Sequence, residues 1–153
     1  PGVVAQMPGA GFPKHRHAVM LGTRDAGKLA EWQRKNPGAK VGSFADAARF
    51  GEAVVLAVKG EHALDALRLA GGGGLTGKVV MDATNPIASA PPVNGVLKFF
   101  TTLDDSLMER LQQAHPDVRF VKAFNSVGNA GMVNPNYAGG RPTMFICGND
   151  AAA

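Results

Sequence analysis

Short runs of aliphatic residues recur along the chain and alternate with polar stretches that favour helices. The runs are continuous in their apolar character, which is typical of parallel strands that are covered on both faces. Strands that alternate with helices favour βαβ units, right-handed crossovers and a parallel sheet. The runs predict strands at 18–21, 53–58, 79–81, 118–121 and 143–147.

Capping residues locate the helices between these runs. Ser43 with Asp46, and Ser106 with Glu109, are spaced as capping boxes, in which each pair satisfies two backbone N–H groups at a helix start. Helices are predicted over 25–35, 43–50, 62–70 and 106–115, and a glycine loop that runs into a helix is predicted over 2–17.

Pro8 and Pro13 argue against a continuous helix in the first of these segments. A proline inside a helix costs about 3 kcal/mol through a lost hydrogen bond and a clash with the preceding turn. The sequence also shows no strand before Gly2 and no helix after the cap-like Asn149. We therefore expect one domain over 1–153, an α/β doubly wound parallel sheet that is truncated at both ends and lacks its first strand.

Two long segments follow predicted strands. The segment 86–104 carries Pro91-Pro92, Asn94-Gly95 and the apolar pair Phe99 and Phe100, and the segment 125–142 carries Asn134-Pro135 and Gly139-Gly140. Long loops at the ends of strands commonly form binding walls or lids. We expect the 86–104 segment to wall a pocket, with both phenylalanines covered.

Composition narrows the class of protein. The chain has 153 residues, 45% of them apolar and 18% charged, which suits one globular domain. Its single cysteine, Cys147, excludes an internal disulfide and is predicted to be a core filler in the last strand. No apolar run approaches the ~18–20 residues that cross a bilayer. No metal site is predicted, and we expect a cytoplasmic protein.

The formal net charge is +4, but the basic residues are scattered and are not interleaved with aromatics. We therefore do not expect a nucleic-acid partner. A small ligand that carries phosphate accounts for a few extra cations more simply.

The residues after the first predicted strand suit a phosphate. Thr23 and Arg24 follow the strand directly, and Lys28 comes four residues after Arg24. In dinucleotide-binding folds the end of the second strand faces the adenine ribose, where an arginine can pair with the 2′-phosphate of NADP. In dinucleotide-binding folds, the residue that contacts the adenine ribose follows the glycine-rich loop by ~20 residues, and the offset from Gly2 to Arg24 matches this spacing. The alternative is a solvated arginine and lysine in a strand-to-helix turn.

Polar residues follow other predicted strands too. Ligands of open parallel sheets bind beyond the carboxyl ends of the strands. Lys59 can reach a phosphate there, and His62 can hydrogen-bond a ligand, although both also suit a solvated surface. Asn85 precedes a proline, which holds its backbone extended. Asn125 offers a side-chain amide at a strand end that suits a flat ligand ring stacked over the sheet.

Four motifs occur in a fixed order along the chain. They are Gly22-Thr23-Arg24-Asp25 with Lys28, Val55 to Lys59, Val80 to Pro86, and Val121 to Ser126. In this order and spacing they resemble the NADPH-dependent oxidoreductases related to F420H2:NADP oxidoreductase. The resemblance implies a three-layer Rossmann-like fold with a C-terminal helical segment, which we expect to be lacking here, and a homodimer in the full-length family.

The resemblance also implies roles for individual residues. Gly2, Val3 and Val4 would lie in the pyrophosphate loop, Thr23, Arg24 and Lys28 would bind the 2′-phosphate, and Val58, His62, Asn85 and Ala123 would line the nicotinamide side. The implied reaction is hydride transfer between NADP(H) and a deazaflavin (F420) or flavin-type acceptor. Because the cofactors carry that chemistry, no catalytic residue is assigned. A non-catalytic dinucleotide-binding module and an inactive truncated fragment are the alternatives.

Overall fold

The computed structural model describes residues 1–153, which form five strands, six α-helices and four single 3₁₀ turns. The strands are β1 Val19–Gly22, β2 Ala39–Gly42, β3 Ala53–Leu56, β4 Val79–Asp82 and β5 Arg119–Lys122. The α-helices are α1 Val3–Gly11, α2 Ala30–Lys35, α3 Phe44–Phe50, α4 Ala63–Ala70, α5 Gly72–Leu75 and α6 Leu107–Ala114. The 3₁₀ turns are Phe12–His15, Ala26–Leu29, Gly60–His62 and Asn129–Gly131. None of the helices is both long enough and apolar enough to span a bilayer.

All five strands pair in parallel, and helices separate them along the chain. The α/β Rossmann-like prediction is therefore confirmed. The ladder is nevertheless in two parts, because β1 pairs only with β2, whereas β3, β4 and β5 form a separate sheet in that order. The register aligns Leu21 with Val41 in the first sheet and Val54 with Val80 in the second.

The hydrophobic core follows the same division. A cluster of 12 buried residues lies around the three-stranded sheet and includes Leu67, Val80, Leu111 and Phe120. Leu21 and Leu29 are buried in the two-stranded part and do not belong to that cluster. Helix α3 connects the parts, since it packs against β1 and β2 as well as against α4 and α5.

Both predicted capping boxes are present. The Ser43 hydroxyl accepts from the Asp46 N–H at 3.1 Å, and the Asp46 carboxylate accepts from the Ser43 N–H at 3.1 Å. Ser106 and Glu109 make the same reciprocal pair at the start of α6. These local bonds satisfy N–H groups that the helix leaves free, so the sequence alone predicts both helix starts.

The expectation that prolines interrupt the first helix is wrong for Pro8. Helix α1 runs from Val3 to Gly11 with Pro8 inside it and buried. Burial of this face against β1 offsets the hydrogen bond that proline cannot donate. Pro13 lies beyond the α-helix, near the start of a 3₁₀ turn where its missing N–H has no partner to lose.

Strand prediction failed at two places. The segment Ala39–Gly42 forms β2 although it has only two apolar side chains and an exposed lysine. The predicted strand at 143–147 does not form, and only Cys147 bridges to Lys122 of β5. Met144, Phe145 and Ile146 of this segment are exposed. Cys147 is itself exposed and is therefore not a core filler.

The 86–100 segment, which we call the arm, folds back on itself as a hairpin. The Ala88 N–H donates to Lys98 O at 2.8 Å, and Asn94 and Gly95 have positive φ, as a tight two-residue turn requires. Phe100 packs against the core, whereas Phe99 is 60% exposed. The expectation that both phenylalanines are covered is therefore wrong for Phe99, whose ring is exposed to solvent.

Ser106→Ala should lower the free energy of unfolding by about 1 kcal/mol, because the cap of α6 is lost. Chemical denaturation measures the change. Ser106→Asp is the matched control, since aspartate is an equally good cap and should restore most of the loss. Equal destabilisation by both substitutions would contradict this role for the hydroxyl.

Candidate functional site

A large cleft separates the two sheets and opens at the carboxyl ends of the strands. Its volume is about 1200 Å³. Of the twelve residues predicted to bind cofactor, seven line this cleft: Gly2, Thr23, Arg24, Lys28, Val58, Lys59 and His62. Asn85 and Asn125 are joined to each other nearby, Val3 and Val4 continue from Gly2 into α1, and Ala123 is buried at the end of β5.

Two cations follow β1 at the edge of the cleft. Arg24 and Lys28 are exposed, and neither makes an ion pair or a side-chain hydrogen bond. The Thr23 hydroxyl donates to Asp25 O at 3.0 Å and accepts from the Asp25 N–H at 3.1 Å. Thr23 therefore stabilises the turn that carries Arg24. Its hydroxyl proton is donated within that turn and does not point into the cleft.

Helix α1 starts at the wall of the same cleft, which Pro1 and Gly2 line. Gly2 precedes the helix in an extended conformation, and no side chain caps it. The first N–H groups with acceptors inside the helix are those of Ala5 and Gln6, which both donate to Gly2 O. The N–H groups of Val3 and Val4 are thus open at a nine-residue helix, and a Cβ on Gly2 would meet nothing within 4 Å. Such a helix start attracts anions.

A buried ion pair fixes the carboxyl ends of β4 and β5. The Asp82 side chain is fully buried and accepts from Lys122 Nζ, from the Thr84 hydroxyl and, at 2.9 Å, from the Thr84 N–H. Lys122 Nζ also donates to Thr84 O at 2.9 Å. This network ties the residues before Asn85 to the end of β5. Asp82 and Lys122 lie inside two of the four sequence motifs, which by themselves indicate no role for them.

The network supports a pair of amides. Asn85 Nδ2 donates to Asn125 O at 2.8 Å, and Asn125 Nδ2 donates to Asn85 Oδ1 at 3.3 Å. Gly60 packs so tightly here that an added Cβ would lie 2.2 Å from Asn85 O. The loops after β3, β4 and β5 therefore meet at this point, and Gly60 is a position that sequence reasoning missed.

The charges after β3 partly compensate one another. Glu61 lies 3.7 Å from Lys59 Nζ and 3.8 Å from His62 Nε2. A hydrogen bond from Ser89, with the positive field of His62 and Lys59, holds the pKa of the Glu61 carboxyl below its ordinary value. Lys59 thus has a counter-ion, in contrast to Arg24 and Lys28.

Phe124 follows β5 with a φ of 64° and lines the cleft. A bulky side chain in this left-handed region is uncommon and is found where surrounding structure imposes it. No motif in the sequence signals this backbone conformation. It turns the chain sharply between Ala123 and Asn125 at the mouth of the cleft.

A family model described as NADP oxidoreductase, coenzyme F420-dependent, matches residues 2–86. The chain belongs to this family. The match covers more than half of the 153 residues and includes the glycine loop, Arg24 and Asn85. The resemblance drawn from the motifs is therefore confirmed.

Solved structures show the same relationship. A crystal structure from Arthrobacter sp. FB24, provisionally named an F420-dependent NADP reductase, matches with a TM-score of 0.90 and 33% identity, covering 99% of this chain and 72% of that one. A hypothetical protein from Sinorhizobium meliloti matches with a TM-score of 0.82 and 21% identity, with the same coverages, and shows the fold alone. A comparison with curated proteins finds no significant match.

Lys122→Met should lower the free energy of unfolding by about 3–5 kcal/mol, because it leaves the Asp82 carboxylate buried without its cation. Urea denaturation measures the loss. The double variant Asp82→Asn with Lys122→Met should be more stable than the single variant, since no buried charge remains. Additive losses in this double-mutant cycle would contradict the coupling.

Proposed function

We propose that this chain is an NADP-dependent oxidoreductase that transfers hydride between NADP(H) and a deazaflavin (F420) or flavin-type acceptor. One observation carries the proposal. Arg24 and Lys28 stand at the carboxyl end of β1 without counter-ions, in a chain that belongs to a family of NADP oxidoreductases. A 2′-phosphate would supply the missing negative charge, and the guanidinium group suits its oxygens.

The pyrophosphate would lie at the start of α1. The open N–H groups of Val3 and Val4 are donors there, and the absence of a side chain at Gly2 lets an anion approach the backbone. Pro1 and Gly2 line the same cleft as Arg24. The two phosphate-binding subsites are therefore on one continuous surface.

The nicotinamide side of the cleft would be formed by residues after the other strands. Val58 and His62 line the cleft after β3, while the paired amides of Asn85 and Asn125 lie beyond β4 and β5. Ala123 is small and buried, which leaves room above the end of β5. Lys59 is free to reach a phosphate only at the expense of its contact with Glu61.

NADPH supplies the hydride when it is bound, and the protein positions the two rings. In this proposal Asn85 and Asn125 orient one ring, and the Asp82–Lys122 pair holds their loops in place. No side chain is needed to move a proton from the reacting carbon. The rate would then depend on ring alignment and exclusion of water rather than on a titrating base.

The acceptor would bind beside the arm. A smaller pocket of about 360 Å³ lies between the turn at Gly60 and the arm, and Ser89, Phe100 and Arg110 line it. Phe99 precedes Phe100 in the arm and is exposed beside the pocket without lining it. We propose small redox molecules as the partners, and assembly into a homodimer stays a prediction.

Arg24→Ala should weaken NADPH binding by about 1.5–3 kcal/mol, the range for charged hydrogen bonds, and leave NADH binding nearly unchanged. Calorimetric titration with each nucleotide measures both affinities. Arg34→Ala, which removes an exposed arginine of α2 outside the cleft, is the matched control and should change neither. If Arg24→Ala weakens both nucleotides alike, the arginine is not a 2′-phosphate reader.

Phe99→Ala should raise the acceptor KM several-fold while leaving the melting temperature and NADPH affinity unchanged, because this ring is exposed. Steady-state oxidation of NADPH with F420 or with FMN gives the KM. Phe100→Ala should raise the acceptor KM too and should also lower the melting temperature, since its ring lines the proposed acceptor pocket and packs against the core. Loss of NADPH affinity in the Phe99 variant would argue against an acceptor wall at the arm.

A further inference from the structure

The arm is attached to the rest of the protein at few points. Every backbone hydrogen bond made by residues 86–100 joins two residues of the arm itself, as in the bond from the Ala88 N–H to Lys98 O. Residues 89–99 are all exposed. A hairpin of two strands is only marginally stable in water when nothing packs against it. The position of the arm therefore depends on the few contacts that its side chains make.

The base of the arm is fixed. Phe100 packs against the hydrophobic core, and its N–H donates to Pro86 O at 2.9 Å. The Arg110 guanidinium lies 5.8 Å from the centre of the Phe100 ring, which is a cation–π distance. Arg110 is held in turn by Asp105, whose two carboxylate oxygens accept from its Nε at 3.0 and 3.1 Å. The arm can therefore turn about Phe100 without losing its attachment.

One hydrogen bond joins the arm to a different part of the chain. The Ser89 hydroxyl donates to Glu61 Oε2. No other hydrogen bond and no ion pair connects residues 86–100 with the rest of the protein. Because both residues are exposed, water competes for this bond, so it can open and close at little cost.

The residue that receives this bond is itself held in place. Glu61 follows Gly60 in a 3₁₀ turn, and the tight contact of Gly60 with Asn85 O restrains that turn. Glu61 Oε1 lies 3.7 Å from Lys59 Nζ and 3.8 Å from His62 Nε2. The carboxylate therefore contacts the arm through one oxygen and, through the other, two side chains that line the cofactor cleft.

The two partners of this bond also belong to two walls of the acceptor pocket. Ala88 and Ser89 line the pocket from the arm, and Gly60 and Glu61 line it from the turn after β3. Its volume of about 360 Å³ is near the lower end of the ~300–1,000 Å³ that small-molecule sites have. Separation of Ser89 from Glu61 would part these walls and admit a planar ring, and renewed contact would close the pocket over it.

We propose that the arm is a lid on the acceptor pocket, hinged at Phe100 and latched by the hydrogen bond from Ser89 to Glu61. Glu61 is then a positioning residue, which acts on the acceptor through the arm. The inference rests on the proposed function, because it assigns the lid to the acceptor of that reaction. A planar, largely apolar ring suits the rest of the lining, which includes Leu64, Phe100 and Leu107.

Amide hydrogen exchange on the full chain without any ligand tests the latch. Ser89→Ala and Glu61→Ala should each speed exchange at the Ala88 amide by about threefold to tenfold, the range that one net hydrogen bond provides. Glu61→Gln should restore most of the protection, since its amide oxygen still accepts from Ser89. The matched control is Glu31→Ala, which removes an exposed carboxylate paired with Lys35 on α2 and should change nothing at the arm.

Fluorescence titration with F420 and with FMN tests the lid. Both alanine variants should bind the acceptor about threefold or more weakly than the wild type, and Glu61→Gln should recover most of the affinity. Ser89→Ala should leave NADPH affinity unchanged in calorimetry, because Ser89 does not line the cofactor cleft. Exchange at Val80 in β4 should stay slow in every variant, which shows that the fold is intact.

Unchanged exchange at Ala88 in both alanine variants would overturn the latch. Faster exchange with unaltered acceptor affinity would show that the arm is no lid. A wild-type chain that binds neither acceptor would overturn the lid together with the acceptor pocket, whether or not it binds NADPH. A chain that binds an acceptor but not NADPH would contradict the proposed function alone, and the two comparisons among the variants would still decide for or against the lid.

Discussion

A parallel strand carries hydrogen-bonding groups on both edges, and β1 and β3 each use only one of theirs. The open edges face a common apolar cleft. It divides the ladder into two sheets, separates Leu21 and Leu29 from the main core cluster, and leaves Val54 and Val55 only half-buried. Helix α3 is the principal packing bridge between the parts.

The cleft and the candidate cofactor site share the carboxyl edge of the strands. On one side the loop after β1 holds unpaired cations, and on the other the Asp82–Lys122 pair anchors the loops that carry Asn85 and Asn125. The buried pair positions these amides through backbone contacts at Thr84, so it acts at a distance from any ligand. A nucleotide that spans the edge would contact both sheets, and its phosphate groups would neutralise the cations on the β1 side.

Local chemistry made much of this structure predictable. The Ser43 and Ser106 caps act within four residues, and the β3, β4 and β5 runs are apolar enough to indicate buried strands. Prediction failed where the structure of a segment depends on contacts with distant residues. Ala39–Gly42 is a strand because β1 pairs with it, whereas the segment before Cys147 finds no strand partner apart from the bridge to Lys122. Candidate site residues could be proposed from motifs. The hydrogen bonds of the Thr23 hydroxyl within its own turn, and those between Asn85 and Asn125, are visible only in the folded chain.

We propose that NADP binds across the carboxyl edge of both sheets. Amide chemical-shift mapping of the isotope-labelled chain with NADP⁺ tests this binding mode most directly. We expect perturbed amides at Val3, Val4, Arg24 and Asn85, with smaller changes near Arg24 when NAD⁺ is used. Perturbations confined to the opposite ends of the strands, or identical spectra with the two nucleotides, would contradict it.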